Sequence, residues 1–206
     1  MGPKPFQFKQ FNIVQDLCTH KVGTDGVLLG AWVNVNHTER TILDVGTGSG
    51  LIAIMVAQRT AAQTTIDAVD IELKDVQQAK ENVQRSPWPE RITVIHTSLQ
   101  KFFPAKEYDL VVSNPPYFVS SLLPPDENRT RARHAVQLSF NDLVGNAARL
   151  LTKSGRLAVI LPYAEGRHFV QEAQNYHFFP HRTATFQSRA TKPPGRLLVE
   201  LSRKKQ

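Results

Sequence analysis

Four consecutive residues, Asn114-Pro115-Pro116-Tyr117, combine the groups needed to hold a planar amino nitrogen. Two prolines fix φ and remove two backbone donors, so nearby carbonyls stay available as acceptors. Asn114 adds a side-chain carbonyl, and Tyr117 adds a flat apolar face for stacking. A conjugated NH2 delocalises its lone pair and is a poor nucleophile. Accepting both N–H hydrogens from directions that favour a pyramidal nitrogen restores lone-pair character as attack begins, a preferential stabilisation of the transition state. Asn114, Pro115 and Tyr117 are therefore candidate catalytic residues, and Pro116 and Tyr117 candidate contacts to the acceptor. The plain alternative is a proline-stiffened turn closing a strand.

A second constellation lies upstream, in Asp44-Val45-Gly46-Thr47-Gly48-Ser49-Gly50. Glycines between a strand and a helix allow a tight turn and let a ligand lie against backbone. Such a turn can also merely connect, or cradle a pyrophosphate. Here the spacing is G-x-G-x-G, and Asp44 stands just before it. A carboxylate aimed into that crevice repels a pyrophosphate and suits a ligand carrying an ammonium and a sulfonium; a helix cap is its other common use. Asp70 ends the next strand-like run, 24 residues after Gly46. That is close to the ~20-residue spacing at which an acid meets ribose hydroxyls. After the third run stands Thr97-Ser98-Leu99, where Ser98 can accept a neutral hydrogen bond or simply form a turn.

These residues need a frame that gathers strand ends. Apolar runs at Thr41–Val45, Ile66–Asp70, Ile92–His96, Tyr108–Ser113, Leu157–Leu161 and Leu197–Leu201 read as strands. Leu51–Arg59, Leu73–Arg85, Ser139–Leu151 and Ala164–Tyr176 read as helices between them. The alternation predicts a doubly wound α/β domain with a mostly parallel sheet, in which ligands bind outside the carboxyl ends of the strands. Ser120–Arg133 breaks the pattern and reads as a mobile loop.

ILDVGTGSG and AVDIE resemble the first two motifs of the Rossmann-like S-adenosylmethionine methyltransferases. The resemblance implies that Gly46 and Gly48 approach the methionyl part of that cofactor and that Asp70 holds its ribose. It implies a seven-stranded sheet whose final antiparallel strand comes from Arg196–Leu201. Many relatives place an Asp where Ser98 and Leu99 stand, so the adenine end of the cofactor would meet a neutral site here. The NPPY tetrapeptide marks the amino-methyltransferases, which act on adenine N6, guanine N2 or glutamine N5. The run Phe6-Gln7-Phe8-Lys9-Gln10-Phe11, then KVGTDG at 21–26, SPWPERI at 86–92 and RARHAVQLSFNDL at 131–143 resemble bacterial tRNA (adenine-37-N6) methyltransferases acting on valine tRNA. By that resemblance residues 1–206 form one methyltransferase domain. Residues 1–40 are then an extension contributing to the cleft, with Lys21 and Thr24 over the methionyl end. Thr24-Asp25-Gly26 taken alone reads as a turn or helix cap. A tRNA anticodon stem-loop is the implied partner, with Arg129, Arg131, Arg133 and His134 able to meet phosphate or base. The non-enzymatic alternative is a degenerate RNA-binding module of the same fold.

The charge agrees with a polyanionic partner. Residues 1–128 hold 11 Lys and Arg against 14 Asp and Glu, whereas residues 129–206 hold 14 against 4. An imbalance of that size suggests a face that attracts nucleic acid, although solubilising charge is the plainer reading. Cys18 is the sole cysteine, so an intramolecular disulfide or a thiolate metal cluster is excluded. The seven His show no HExxH pairing, and no metal is expected. No run approaches the length of a membrane span, and Met1–Phe11 has no apolar signal core, so the cytoplasm is the expected location.

Overall fold

The computed structural model describes residues 5–35, 38–116 and 138–204. A small hairpin of β1 (Phe6–Gln7) and β2 (Asn12–Ile13) precedes helix α1 (Thr24–Trp32). Then follow β3 (Thr41–Val45), α2 (Leu51–Arg59), β4 (Thr65–Asp70), α3 (Leu73–Gln84), β5 (Ile92–His96) and β6 (Tyr108–Ser113). The second half holds α4 (Phe140–Leu150), β7 (Leu151–Pro162), α5 (Tyr163–Ala173), β8 (Phe179–Phe186) and β9 (Arg196–Ser202). Among the described residues seven strands form one sheet in the order β5-β4-β3-β6-β7-β9-β8. In that sheet β9 alone runs against the direction shared by the other six strands. The doubly wound architecture and the final reversed strand thus match the expectation.

Successive side chains of a strand point to opposite faces, and here both faces are covered. Ile42, Leu110 and Ile160 join one core beneath α1, α2 and α3 with Leu29, Ile54 and Val76. Leu43, Val111 and Val159 join the other beneath α4 and α5 with Leu143 and Phe169. This two-sided burial is why the strands read as continuous apolar runs.

Helix α1 was not foreseen beyond a turn or cap. It lies close against α2 because Gly26 and Gly30, one turn apart, have no side chains: a Cβ on Gly30 would stand 2.7 Å from Met55 Sδ and 3.1 Å from its Cβ. Two ionic contacts then fasten α1 to β9. Near its start, Asp25 accepts from Arg196 Nε at 2.9 and 3.0 Å. Just past its end, Asn34 N–H donates to Glu200 Oε1 at 2.6 Å. Nine helical residues rise roughly 13.5 Å and four strand residues roughly 13.6 Å, so the two spans match. Glu200 is fully buried and also pairs with Arg156 at 2.7 Å; Arg156 in turn pairs with Glu39. The edge strand β8 was also unforeseen, and β7 starts at Leu151 directly from α4. No helix among the described residues is long and apolar enough to cross a membrane.

Glu200→Ala should destabilise the fold by about 3–5 kcal/mol, the cost of leaving a buried ion pair without one partner. Urea unfolding monitored by Trp32 and Trp88 fluorescence measures it. A loss near zero would show that Glu39 and the Asn34 carbonyl together satisfy Arg156.

Candidate functional site

The chain proceeds from β3 outward to β4 and β5, then returns to β6 on the other side of β3. The crevice between the carboxyl ends of β3 and β6 is therefore the topological switch point of the sheet. The Gly-rich turn leaves one strand there, and Asn114 leaves the other. Val45 and Ser113 are register partners, and Ser113 Oγ donates to the Val45 carbonyl at 2.8 Å. Neighbouring strands lie about 4.8 Å apart, which sets Asn114 beside Gly46. Asn114 is half-buried, Pro115 is buried and Pro116 is exposed. Tyr117, Arg129, Arg131, Arg133, His134 and the Ser120–Arg133 loop lie outside the described residues.

The turn requires its glycines. Gly46, Gly48 and Gly50 have φ of +70°, +55° and +81°. Among the described residues a Cβ on Gly46 or Gly48 would meet nothing within 4 Å, so none of them covers the backbone there and a ligand can lie against it. Gly46 N–H and Thr47 N–H donate to the Val69 carbonyl at 2.9 and 3.1 Å. Asp70 secures the turn from the side: Oδ2 accepts from Gly48 N–H at 2.8 Å and Oδ1 from Glu72 N–H at 2.9 Å. Burial raises the Asp70 pKa above its ordinary value, and those two donors oppose the rise.

Asp44 is fully buried. Its Oδ2 accepts from Thr47 Oγ1 at 2.7 Å and from Ala53 N–H at 3.1 Å, capping the first turn of α2. Its Oδ1 has no hydrogen-bond partner among the described residues. A buried acceptor in that state is costly and fits a cationic donor nearby. Burial lifts the Asp44 pKa to about 7.

Three residues that sequence reasoning missed hold the N-terminal extension to the site. Asp75, Gln78 and Asn82 lie three and four residues apart on one face of α3, and all three are buried. They accept backbone N–H groups of Thr19 at 2.7 Å, Leu17 at 3.2 Å and Val14 at 2.9 Å, replacing the partners a strand would give. Asn82 Nδ2 also donates to the carbonyls of Val14 and Ser49, each at 2.8 Å. One side chain thus joins the extension to the Gly-rich turn. The available signal was the three- and four-residue spacing of these polar residues along a predicted helix.

Lys21 Nζ donates to the Gln15 carbonyl at 2.6 Å, and Thr24 is the exposed first residue of α1. The Asp25–Arg196 pair places that helix end at the site edge of the sheet, since Arg196 pairs with Pro162. Beyond β5, Ser98 precedes a short 3-10 turn and Leu99 is buried in the core. Burial, aided by Asp75, pushes the Cys18 thiol up to about 12, which disfavours the reactive thiolate near neutral pH.

Part of the positive charge of the second half is structural. Arg156, Arg182 and Arg196 pair with Glu39, Glu200 and Asp25. Arg149 donates to the Phe102 carbonyl, and Arg203 to those of Thr152 and Ala148.

Comparison with known proteins agrees with this geometry. The methyltransferase small domain family matches residues 20–176. A tRNA1(Val) (adenine(37)-N6)-methyltransferase of Tolumonas auensis is 47% identical over 204 residues, covering 99% of this chain and 85% of the relative. Its namesake in Trichodesmium erythraeum is 47% identical over 208 residues, covering 100% and 87%. Among solved structures, a predicted O-methyltransferase of Agrobacterium tumefaciens shares the fold with a TM-score of 0.68 at 18% identity, over 86% of this chain and 80% of that one.

Two outcomes test the geometry. The folded chain holds the Asp44 proton up to about pH 7, whereas the unfolded chain releases it near 3.8. The contribution of Asp44 to stability is therefore full below about pH 4 and is lost as pH rises through 7. Asp44→Asn should gain in melting temperature relative to the parent across that interval, and parallel pH profiles would contradict it. Asn82→Ala should speed amide exchange at Val14, Leu17 and Thr19 by tenfold or more, since a lost buried hydrogen bond costs about 1–3 kcal/mol. Unchanged exchange would mean that Asp75 and Gln78 hold the extension without it.

Proposed function

We propose that this chain, which belongs to the methyltransferase small domain family, moves a methyl group from S-adenosylmethionine to the N6 of an adenine in RNA. The acceptor we infer is adenine 37 of a valine tRNA, the nucleotide named in relatives 47% identical over nearly the whole chain. The observation that carries the reading is the juxtaposition of Gly46–Gly50 and Asn114 across the ends of β3 and β6.

The cofactor supplies an electrophilic methyl group on a positively charged sulfur. Gly46 and Gly48 offer the backbone against which its methionyl part lies, and Asp44 Oδ1 is the acceptor nearest in kind to an ammonium. Asp70 keeps lone pairs beyond those used by Gly48 and Glu72, and these accept ribose hydroxyls. Lys21 and Thr24 lie over the methionyl end, so residues 1–40 contribute to the cleft. Ser98 and Leu99 border the adenine end. Asn114 accepts one hydrogen of the target amino group through its side-chain carbonyl. Pro115 fixes the backbone that presents it, and Pro116 and Tyr117 flank the flipped base. As the nitrogen pyramidalises, the hydrogen bond to Asn114 strengthens and one amino proton becomes acidic enough to leave to solvent. Arg129, Arg131, Arg133 and His134 meet phosphate or base around the target, and the cytoplasm is where that substrate resides.

The test is nucleoside mass spectrometry of valine tRNA treated with the protein and labelled cofactor, which should find N6-methyladenine at position 37. Asn114→Ala should lower single-turnover methyl transfer by roughly 10²–10³, as when one preorganised hydrogen-bond partner of a transition state is removed. Cofactor and RNA affinities should stay close to the parent values. A folded Asn114→Ala protein that transfers methyl at the parent rate would sink the mechanism.

A further inference from the structure

Lys9 and Gln10 occupy the middle of a four-residue turn closed by Phe8 N–H donating to the Phe11 carbonyl at 2.9 Å. The turn is stiffened from within. Phe8 and Phe11 stack at 4.5 Å with 17° between their planes, and Phe11 meets Trp88 edge-on at 6.2 Å. With the rings turned inward, Lys9 and Gln10 are left exposed. Opposite them stands Arg85, the cap residue at the end of α3. Hairpin and helix end enclose a cleft of about 360 Å³ lined in part by Lys9, Gln10, Asn12 and Arg85. Two cations and two carboxamides face it, and no carboxylate among the described residues lines it. That lining matches a phosphodiester: the cations neutralise phosphate and release counterions, while the carboxamides donate to phosphate or sugar oxygens.

The cleft is not part of the site at the strand ends. Helix α3 begins beside Asp70 and ends at Arg85, and its 12 residues separate the two by roughly 18 Å. A molecule that touches both must be extended, and the cations of the cleft favour an anionic one. Arg149, Arg156, Arg182, Arg196 and Arg203 have internal partners, so the charge excess of the second half does not by itself locate every cation that meets such a molecule. Resting on the reading of a tRNA substrate, we propose that this cleft is a second RNA-binding site, which takes backbone phosphates of the tRNA remote from the methylated nucleotide.

The full-length protein with Lys9→Ala and Arg85→Ala together is compared with its parent by fluorescence anisotropy on a valine tRNA transcript, between 0.05 and 0.3 M salt. These salt limits, on the order of those over which counterion release is read, bracket physiological strength. Loss of two phosphate contacts should lower the slope of log K against log salt by roughly 1.4–1.8 and weaken binding at 0.1 M salt by on the order of tenfold or more. Cofactor affinity by calorimetry and the melting temperature should not change, because both side chains are exposed. Lys9→Arg should retain the parent slope. A folded double variant with parent affinity and slope overturns the proposal while tRNA methylation stands. A parent protein that neither binds nor methylates tRNA removes the functional reading, and this site with it.

Discussion

The Asp70 carboxylate holds together the two loops on which the site depends. One oxygen takes the Gly48 N–H and the other the Glu72 N–H, so the turns that follow β3 and β4 cannot separate without leaving a buried charge unsatisfied. The glycines gain their use from this constraint. A turn with Gly46 and Gly48 in the left-handed conformation would be floppy in isolation, because glycine loses the most conformational freedom on folding. Here it is fastened by the Val69 carbonyl, by Asp70 and by the Asp44–Thr47 contact. The result is exposed backbone that is already ordered, so a ligand need not supply the ordering energy itself.

A second layer holds that turn from outside the sheet. Asn82 spends its three hydrogen bonds on Val14 and Ser49, and Asp75 and Gln78 repeat the device along α3. The extension therefore sits on a helix through side-chain amides and carboxylates, not through a strand ladder. Its aromatic hairpin reaches the far end of α3, and α1 closes the other flank by matching β9 in length. An element outside the sheet thus spans from the site to the opposite edge of the fold.

The legible parts of this molecule were those buried on two faces. Thr41–Val45, Ile92–His96, Tyr108–Ser113 and Leu51–Arg59 have the bounds that their apolar runs suggested. Strand β8 escaped because it lies at the edge: it carries Pro180, His181 and Arg182 and buries little, so neither alternation nor a continuous run marks it. Helix α1 escaped because it is short and its glycines, which normally argue against a helix, are what allow it to approach Met55. At the site, the glycines and the acids at strand ends were legible from type and spacing. The triplet Asp75, Gln78 and Asn82 was not, since polar residues on an amphipathic helix are ordinarily its wet side. The charge imbalance was visible, but not that Arg156, Arg182 and Arg196 within it form ion pairs inside the fold.

The place of β9 in the sheet bears on how the protein is made. Strand β9 lies between β7 and β8, and β8 has no other partner in the sheet. On a ribosome, chains fold from the N-terminal end as they emerge. The Gly-rich turn and β3 through β6 can assemble early, while β8 waits as a bare edge and α1 lacks both of its anchors, Arg196 and Glu200. Completion of one late strand then seats β8, fastens α1 and buries Glu200 in a single event. A nascent chain stopped short of Arg196 would expose the edge of β7, a ready target for chaperones and proteases, and only finished chains would carry a closed flank.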